Sequence, residues 1–383
     1  MSGTRPVRVA VIAENYGTAG GSERFVQEVT ERLAQTGRFE FHVFANRWSS
    51  SCTAVRFHKV PRIKFPRFMR PWFFTTMAQR QVARGQFHLV HSHWPTPKAD
   101  VFTTHGAPHG YWLRKVLRRR AGLFDHMMMR IERRMIRDGS RAIFMPVSAF
   151  LKDRFGDTYG ELPGRWIVNG PGVDADRFVP DAVARADVRS RFGIPMHARV
   201  VLFVGMNFET KGLGRLIEGV IHARRLQPAQ DIRLLVVGRG RQEPFARIAA
   251  QAGMRDAVVF AGLQSSGIER FYSAADAFAL VSEFETFGMV VLEAMAARLP
   301  VLISDQMGVG ELVRDGEQGF VVACAASGER IGERVVAMLE PDAQRRMGLA
   351  GRAVAERQSW QRVADAVRQA YEAQLQATSR GAL

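Results

Sequence analysis

The sequence predicts an α/β chain built as two doubly wound halves, and three observations carry that prediction. Short apolar runs of strand length recur along all 383 residues, separated by segments with helical periodicity. The first run, VRVAVIA at 7–13, opens onto a glycine-rich loop that is followed by an apolar stripe at helical spacing. A stretch rich in glycine, proline and aspartate, NGPGVDADRFVP from Asn169, divides the runs into two series.

In the first series the loop ENYGTAGGSE leads into a helix over Arg24–Gln35, with Phe25, Val26, Val29 and Leu33 as its apolar stripe and Gly37 as its stop. FHVFA (41–45), FHLVH (87–91), VFTT (101–104) and AIFMPV (142–147) follow as buried parallel strands. In the second series the strands are RVVLFVG (199–205), IRLLVVG (232–238), AVVF (257–260), DAFALV (276–281), PVLIS from Pro300 and GFVV (319–322). The expected domains are residues 1–178 and 179–361, with a C-terminal helix of about 362–383 packing back on the first. Ligands of such sheets sit beyond the carboxyl ends of the strands, so the chemistry is expected in a cleft between the two domains.

Composition narrows the function. A chain of this length with 46% hydrophobic and 24% charged residues is too large for one ordinary core and too apolar to be disordered. Its two cysteines, Cys52 and Cys324, exclude a disulfide framework and a cysteine-based zinc site, and suit a reducing cytoplasm. The first apolar run is too short for a signal peptide and is followed by Glu14 and Asn15, and no run reaches the length of a membrane span. The net charge of +17 is uneven: residues 1–178 hold 29 Lys+Arg against 14 Asp+Glu, or +15, leaving 25 against 23, or +2, for the rest. No acidic residue lies between Glu40 and Asp100, a stretch with ten Lys or Arg. Such a field implies an anionic partner, whether a phosphorylated substrate, an anionic membrane or a nucleic acid.

The segment EFETFGMVVLEAMAARLPVLISD, 283–305, carries the most chemistry. Glu285 precedes a predicted helix and Glu293 lies inside it, so one carboxylate can overhang a ligand while the other reaches a second group. The N–H groups near Gly288, Met289 and Val290, at the positive end of that helix, suit a phosphate oxygen. The alternative is that Glu285 caps the helix and Glu293 is a solvated charge.

These residues resemble the E-x7-E signature of the retaining glycosyltransferase family 4: Glu285, Phe287, Gly288, Glu293, Ala294, Met295 and Ala296, then Pro300, Val301, Ser304 and Asp305. VGMNFETKG at 204–212, GGSER at 20–24 and NGPGVDADRF at 169–178 are similar to further motifs of that family, in the same order. The resemblance implies a GT-B fold, two Rossmann-like domains facing across a cleft, with the nucleotide-sugar held by the second domain and the acceptor by the first. It implies that Glu293 binds the ribose hydroxyls, that Glu285 places the sugar, and that Lys211 neutralises the diphosphate with no bound metal and no cofactor. The donor set it implies is Gly20, Gly21, Gly205, Asn207, Lys211, Arg239, Leu263, Glu285, Phe287, Gly288, Met289, Val290 and Glu293. His105 is implied as a catalytic group that reaches the donor sugar or acceptor, and Asp100 is the further acceptor candidate, with a turn aspartate as the alternative. Where relatives carry an arginine after the V-G pair, this chain has Met206 and Asn207. Arg239 and Arg241 are the candidate replacements, against a solvated loop.

The resemblance extends to lipopolysaccharide core glucosyltransferases, which implies transfer of glucose from UDP-glucose to an anionic glycolipid by a peripheral enzyme at the cytoplasmic face of the plasma membrane. GDP-mannose or UDP-GlcNAc as donor, and a non-catalytic binding protein of the same fold, are the alternatives. Two stretches suit an anionic membrane: a basic amphipathic helix over 111–138, whose stripe also suits a core helix, and the aromatic run KFPRFMRPWFFTT at 64–76, which also suits an aromatic acceptor cleft. His91 and His93 share a strand face but have no acidic or cysteine partner nearby, which argues against a metal. No nucleic-acid signature accompanies the aromatics. The loop after the first strand is not G-x-G-x-x-G, and Asn46 and Arg47 stand where a dinucleotide-binding acid is expected. Oligomeric state is left open.

Overall fold

The computed structural model describes residues 6–18, 20–264 and 266–381. Two compact units emerge, one formed by the chain up to Pro171 together with the segment from Trp360, the other by Gly172–Ser359.

The first unit is built on seven parallel strands: Val7–Ile12 (β1), Phe39–Ala45 (β2), Val55–Lys59 (β3), Leu89–Ser92 (β4), Val101–Thr104 (β5), Ile143–Pro146 (β6) and Arg165–Trp166 (β7). Their order is β3-β2-β1-β4-β5-β6-β7, so the winding direction reverses between β1 and β4. Val9, Ala10, Val11 and Ile12 are buried on both faces of the central strand, as a parallel sheet covered by helices requires. The two strands that the apolar runs did not announce, β3 and β7, form the sheet edges and carry Arg56, Lys59 and Arg165, which mask their hydropathy.

The helices of this unit that bear on its chemistry are Gly21–Gln35 (α1), Arg70–Arg84 (α2), Leu123–Asp138 (α3) and Ala149–Tyr159 (α4). The helix expected over 111–138 is interrupted. A π-type turn over Trp112–Val116 ends in a break where Arg118 takes a left-handed φ of 48°, and α3 starts only at Leu123. Asp125 fastens the break. Its carboxylate accepts the Gly122 N–H at 2.8 Å, both terminal nitrogens of Arg119 at 2.7 and 3.1 Å, and His109 Nε2 at 2.8 Å. The Arg119 guanidinium, with these hydrogen bonds, holds the Asp125 carboxyl far below the usual carboxylate range. Met128, Ile131, Met135 and Ile136 turn inward, so the core reading accounts for most of the stripe, while Leu117, Leu123 and Phe124 remain exposed.

The second unit has six parallel strands, Arg199–Val204 (β8), Ile232–Val237 (β9), Val258–Gly262 (β10), Ala277–Leu280 (β11), Val301–Ser304 (β12) and Gly319–Val322 (β13), in the order β10-β9-β8-β11-β12-β13. Here the order reverses between β8 and β11, and the loops leaving those two strands flank the reversal. Leu213–Leu226 (α5) follows the first of these loops and Met289–Ala296 (α6) the second.

Residues 172–178 fold with the second unit, so the division falls at Pro171 and not at 178. Val173 N–H donates to the Gln358 carbonyl at 2.9 Å, Arg352 donates to the carbonyls of Ala175 and Phe178, and the Phe178 ring is buried edge-on to Tyr272. The last helix, Trp360–Gly381 (α7), starts two residues before the expected position and belongs to the first unit. Tyr371 Oη meets His91 Nδ1 at 2.7 Å, Gln374 Nε2 donates to the carbonyls of Asp100 and Arg141, and Trp360 packs edge-on to Phe25.

Candidate active site

In the second unit the loop after β8 is laced through backbone to the loops after β9 and β11. Gly205 N–H donates to the Val237 carbonyl at 3.0 Å, and a Cβ on Gly238, at φ +141°, would fall 1.7 Å from the Gly205 oxygen, so only glycine fits there. The Thr210 carbonyl accepts the Glu283 N–H at 2.9 Å and the Ser282 hydroxyl at 3.0 Å. Gly212, at φ +72°, lies so close to Val281 that a Cβ would meet its carbonyl oxygen at 2.1 Å. These contacts set Lys211 against Glu285, and their side chains form an ion pair between Nζ and Oε2. Burial draws the Lys211 ammonium down to about 8.

From Glu285 the chain is stitched to the loop that follows β12. Glu285 N–H donates to the Gln306 carbonyl at 2.9 Å, Gly308 N–H returns to the Glu285 carbonyl at 3.0 Å, and Val309 N–H reaches the Phe287 carbonyl at 2.8 Å. Phe287 is buried and anchors the turn. Gly288 caps α6 at φ +104°, without a side chain, so Glu285 is not the helix cap. The N–H groups of Met289 and Val290 open the helix with no intrahelical acceptor, at the end that carries the positive dipole. Glu293 is only 7% exposed, and Tyr272 Oη donates to its Oε2 at 2.9 Å, so it is not a solvated charge either. A buried carboxylate held by a phenol is poised to accept hydrogen bonds.

Gly205, Asn207, Lys211, Arg239, Leu263, Glu285 and Gly288 thus lie in loops at the carboxyl edge of one sheet. Asn207 takes a left-handed φ of 58°. Arg239, Arg241 and Leu263 are exposed. Tyr272, which holds Glu293, was absent from the expected set because nothing in its sequence neighbourhood separates it from a core aromatic.

In the first unit, Gly20 caps α1 in extended conformation and Gly21 is its first residue, so the helix begins a turn before the expected Arg24. His105 follows β5. Its Nε2 lies 3.0 Å from His93 Nδ1, its ring stands edge-on to Phe25, and burial drives it down to about 4, which keeps it neutral. Asp100 is at the other end of the same strand and accepts the Val90 N–H at 2.7 Å. Four strand residues, about 13 Å, separate the two ends, so the structure does not bring Asp100 to His105 and gives it the turn-aspartate role instead. Both ring nitrogens of His91 are taken by hydroxyls, those of Tyr371 and Thr103. Among the described residues no three His, Cys, Asp or Glu side chains form a cluster suited to a metal ion.

Residues 19–177 match the family model described as Glycosyltransferase Family 4, and residues 184–354 the model described as Glycosyl transferases group 1. A D-inositol 3-phosphate glycosyltransferase of Nocardia farcinica is 28% identical, over 97% of this chain and 90% of its own length. Among solved structures, WaaG, a glycosyltransferase involved in lipopolysaccharide biosynthesis, aligns with a TM-score of 0.78 at 22% identity, over 94% of this chain and 98% of its own. Anabaena Alr3699/HepE in complex with UDP-glucose aligns with a TM-score of 0.72 at 15% identity, over 96% and 99%. At those identities the two structures establish a shared fold.

Proposed function

The chain belongs to the group 1 and family 4 glycosyltransferases, and from that premise we propose that it transfers glucose from UDP-glucose, with retention of anomeric configuration, to a cell-envelope glycolipid such as the lipopolysaccharide inner core. The observation that carries the reading is the Lys211–Glu285 ion pair beside the N-terminus of α6. When a nucleoside diphosphate hexose binds, Lys211 turns from the carboxylate to the diphosphate, and the Met289 and Val290 N–H groups share the phosphate charge. Glu285, released from Lys211, accepts hydrogen bonds from sugar hydroxyls, and Glu293 accepts them from the ribose. The bond between the anomeric carbon and the β-phosphate oxygen breaks as the acceptor hydroxyl attacks from the same face. The acceptor proton passes to the departing phosphate oxygen, and UDP leaves. No protein nucleophile is required, and charge stabilisation of the leaving group does the catalytic work. The reading assigns that stabilisation to Lys211 and the helix terminus rather than to a metal.

The first unit is assigned the acceptor, with neutral His105 as donor or acceptor of a hydrogen bond. It is also assigned contact with the anionic inner face of the plasma membrane, from the cytoplasmic side. Phe65 is 82% exposed, and Trp72, Leu117, Leu123 and Phe124 are exposed as well, among exposed Lys64, Arg67, Lys115, Arg118, Arg119 and Arg120. The turn at Arg67–Met69 and α2 both pack on α3, so these side chains come from neighbouring elements. Among the described residues no helix is long and apolar enough to cross a membrane.

The similarity of a D-inositol 3-phosphate glycosyltransferase along nearly the whole chain supports a second acceptor, an inositol phosphate. Release of UDP from UDP-glucose, with GDP-mannose and UDP-GlcNAc alongside, and with lipopolysaccharide core glycolipid or D-inositol 3-phosphate as acceptor, decides among them. The expected result is UDP release that the glycolipid stimulates. Equal inertness of all donors, with no thermal stabilisation by UDP or GDP, overturns the reading.

A further inference from the structure

The first unit contains a cavity of about 270 Å³ at the carboxyl edge of its sheet. His105 borders it, but two other polar side chains of its wall have no part in the chemistry described so far. The hydroxyl of Thr104, the last residue of β5, is buried and has no hydrogen-bond partner. An orphaned buried hydroxyl costs about 1–3 kcal/mol, so a group that completes it is expected. Glu132, on α3, is 5% exposed. Its Oε2 accepts both the His109 N–H and the Tyr159 hydroxyl, each at 2.8 Å, and these two bonds are the ones it makes, so Oε1 remains for whatever enters.

The charge of this wall is unusual for so basic a unit. No lysine or arginine lines it. His93 and His105 are both held neutral by burial, the His109 ring is engaged with Asp125, and Glu132 is the one acidic side chain of the wall, its carboxyl raised by burial to about 7 so that at neutral pH it is only partly ionised. Trp94, Met128 and Phe155 supply apolar surface. An apolar hollow with a few converging polar atoms is the form of a specific small-molecule site, and a wall with no lysine or arginine and a part-ionised carboxyl gives a phosphate nothing to pair with.

We infer that this cavity is an acceptor subsite for an uncharged, hydroxyl-bearing ring, whose hydroxyls bond to Thr104 Oγ1 and Glu132 Oε1, and that it excludes phosphorylated rings. The inference rests on the acceptor role proposed for the first unit. It places the anionic part of a glycolipid acceptor on the basic exterior and only a neutral sugar or polyol inside.

Saturation-transfer NMR on the full chain with UDP present tests it, with methyl α-D-glucopyranoside and myo-inositol as neutral probes and D-inositol 3-phosphate as the charged one. The neutral probes are expected to bind at least tenfold more tightly than the phosphate ester. Thr104→Val, which keeps the shape and removes the hydroxyl, is expected to weaken a neutral probe severalfold. Glu132→Gln, which retains both accepted hydrogen bonds, is expected to narrow the discrimination against the phosphate ester. UDP affinity, read on the same samples, is expected to stay at the wild-type value in both variants, and Thr104→Val, which removes the unpaired hydroxyl, is expected to melt no lower than wild type. Equal or tighter binding of the phosphate ester, absence of binding by either neutral probe, or wild-type probe binding in both variants overturns the inference. Failure of UDP to bind overturns the donor reading instead, and is scored separately.

Discussion

Lys211 and Glu285 form an ion pair that joins the loop leaving β8 to the loop leaving β11, at the point where the strand order of the second sheet reverses. Glu285 is the counter-ion of Lys211, and in the proposed mechanism it gives way there to a diphosphate, so variants of the two should behave differently. Glu285→Ala is expected to lower kcat about 100- to 1000-fold, the magnitude of losing one well-placed transition-state contact, and to change the UDP dissociation constant little. Lys211→Ala is expected to lower kcat and to weaken UDP by more than tenfold. Steady-state UDP release and calorimetric titration separate the two, and wild-type turnover in either variant removes the pair from the mechanism.

The Lys211 ammonium, brought down to about 8 by burial, sets a pH limit. In the proposed role it attracts the diphosphate only while protonated, so UDP affinity is expected to be level between pH 6.5 and 7.5. Above pH 8 it should fall, approaching tenfold per unit, with Lys211→Arg displacing the decline upward because a guanidinium stays charged. Titration of UDP between pH 6.5 and 9.5 checks this, and an affinity independent of pH contradicts it.

Glu293 is buried and held by the Tyr272 hydroxyl. Glu293→Ala is expected to cost about 1.5–3 kcal/mol of donor binding, a tenfold to hundredfold rise in the donor KM, with kcat at saturation largely kept. Tyr272→Phe removes the positioning hydrogen bond and should raise KM less, in the same direction. A variant that loses kcat with KM unchanged would mean Glu293 acts on the sugar and not on the ribose.

Asp125 gathers Arg119, His109 and the Gly122 N–H around the break before α3. Asp125→Asn keeps the size but loses the charge-assisted bonds and is expected to cost about 1.5–3 kcal/mol of stability in the first unit. Because the folded state holds this carboxyl below its unfolded value, its contribution is present above the ordinary carboxylate pKa and is lost as pH falls below it. Chemical denaturation at pH 7 and pH 3.5 reads the difference between wild type and variant, which should shrink at the lower pH.

Phe65 and Leu123 are exposed and have exposed lysine or arginine neighbours in the sequence, Lys64 and Arg67 for the first and Arg119 and Arg120 for the second. Phe65→Ser combined with Leu123→Ser is expected to reduce sedimentation with phosphatidylglycerol vesicles at least tenfold, since each inserted side chain contributes about 1.5–3 kcal/mol, with melting temperature unchanged. Binding should also fall as salt rises. Vesicle binding equal to wild type in the double variant places the membrane contact elsewhere.

The central strands were legible because a parallel sheet buried on both faces writes itself as continuous apolar runs, and VRVAVIA and RVVLFVG are such runs. The edges were not: VRFHK alternates with charge, and two residues at Arg165–Trp166 are too few to show a period. The E-x7-E segment named Glu285 and Glu293, but the spacing alone left capping and solvation open. What settled their environments were Lys211 and Tyr272, brought up by other loops. Glu132 sat in the run IERRMIR, which reads as a solvated face. A signal was present, since it lies four residues after Met128 and four before Ile136, on the inward stripe. The break at Arg118 had no such signal, because it depends on Asp125 reaching back to Arg119 and His109.

The return of α7 to the first unit also orders events at the ribosome. The second unit is one uninterrupted span, Gly172–Ser359, and can close as soon as it has emerged. The first must wait, with the sockets for Trp360 and Tyr371 uncovered, until α7 is translated, so the unit begun before the second is finished after it. In that interval the flank of β4 that Tyr371 later closes stays open to solvent.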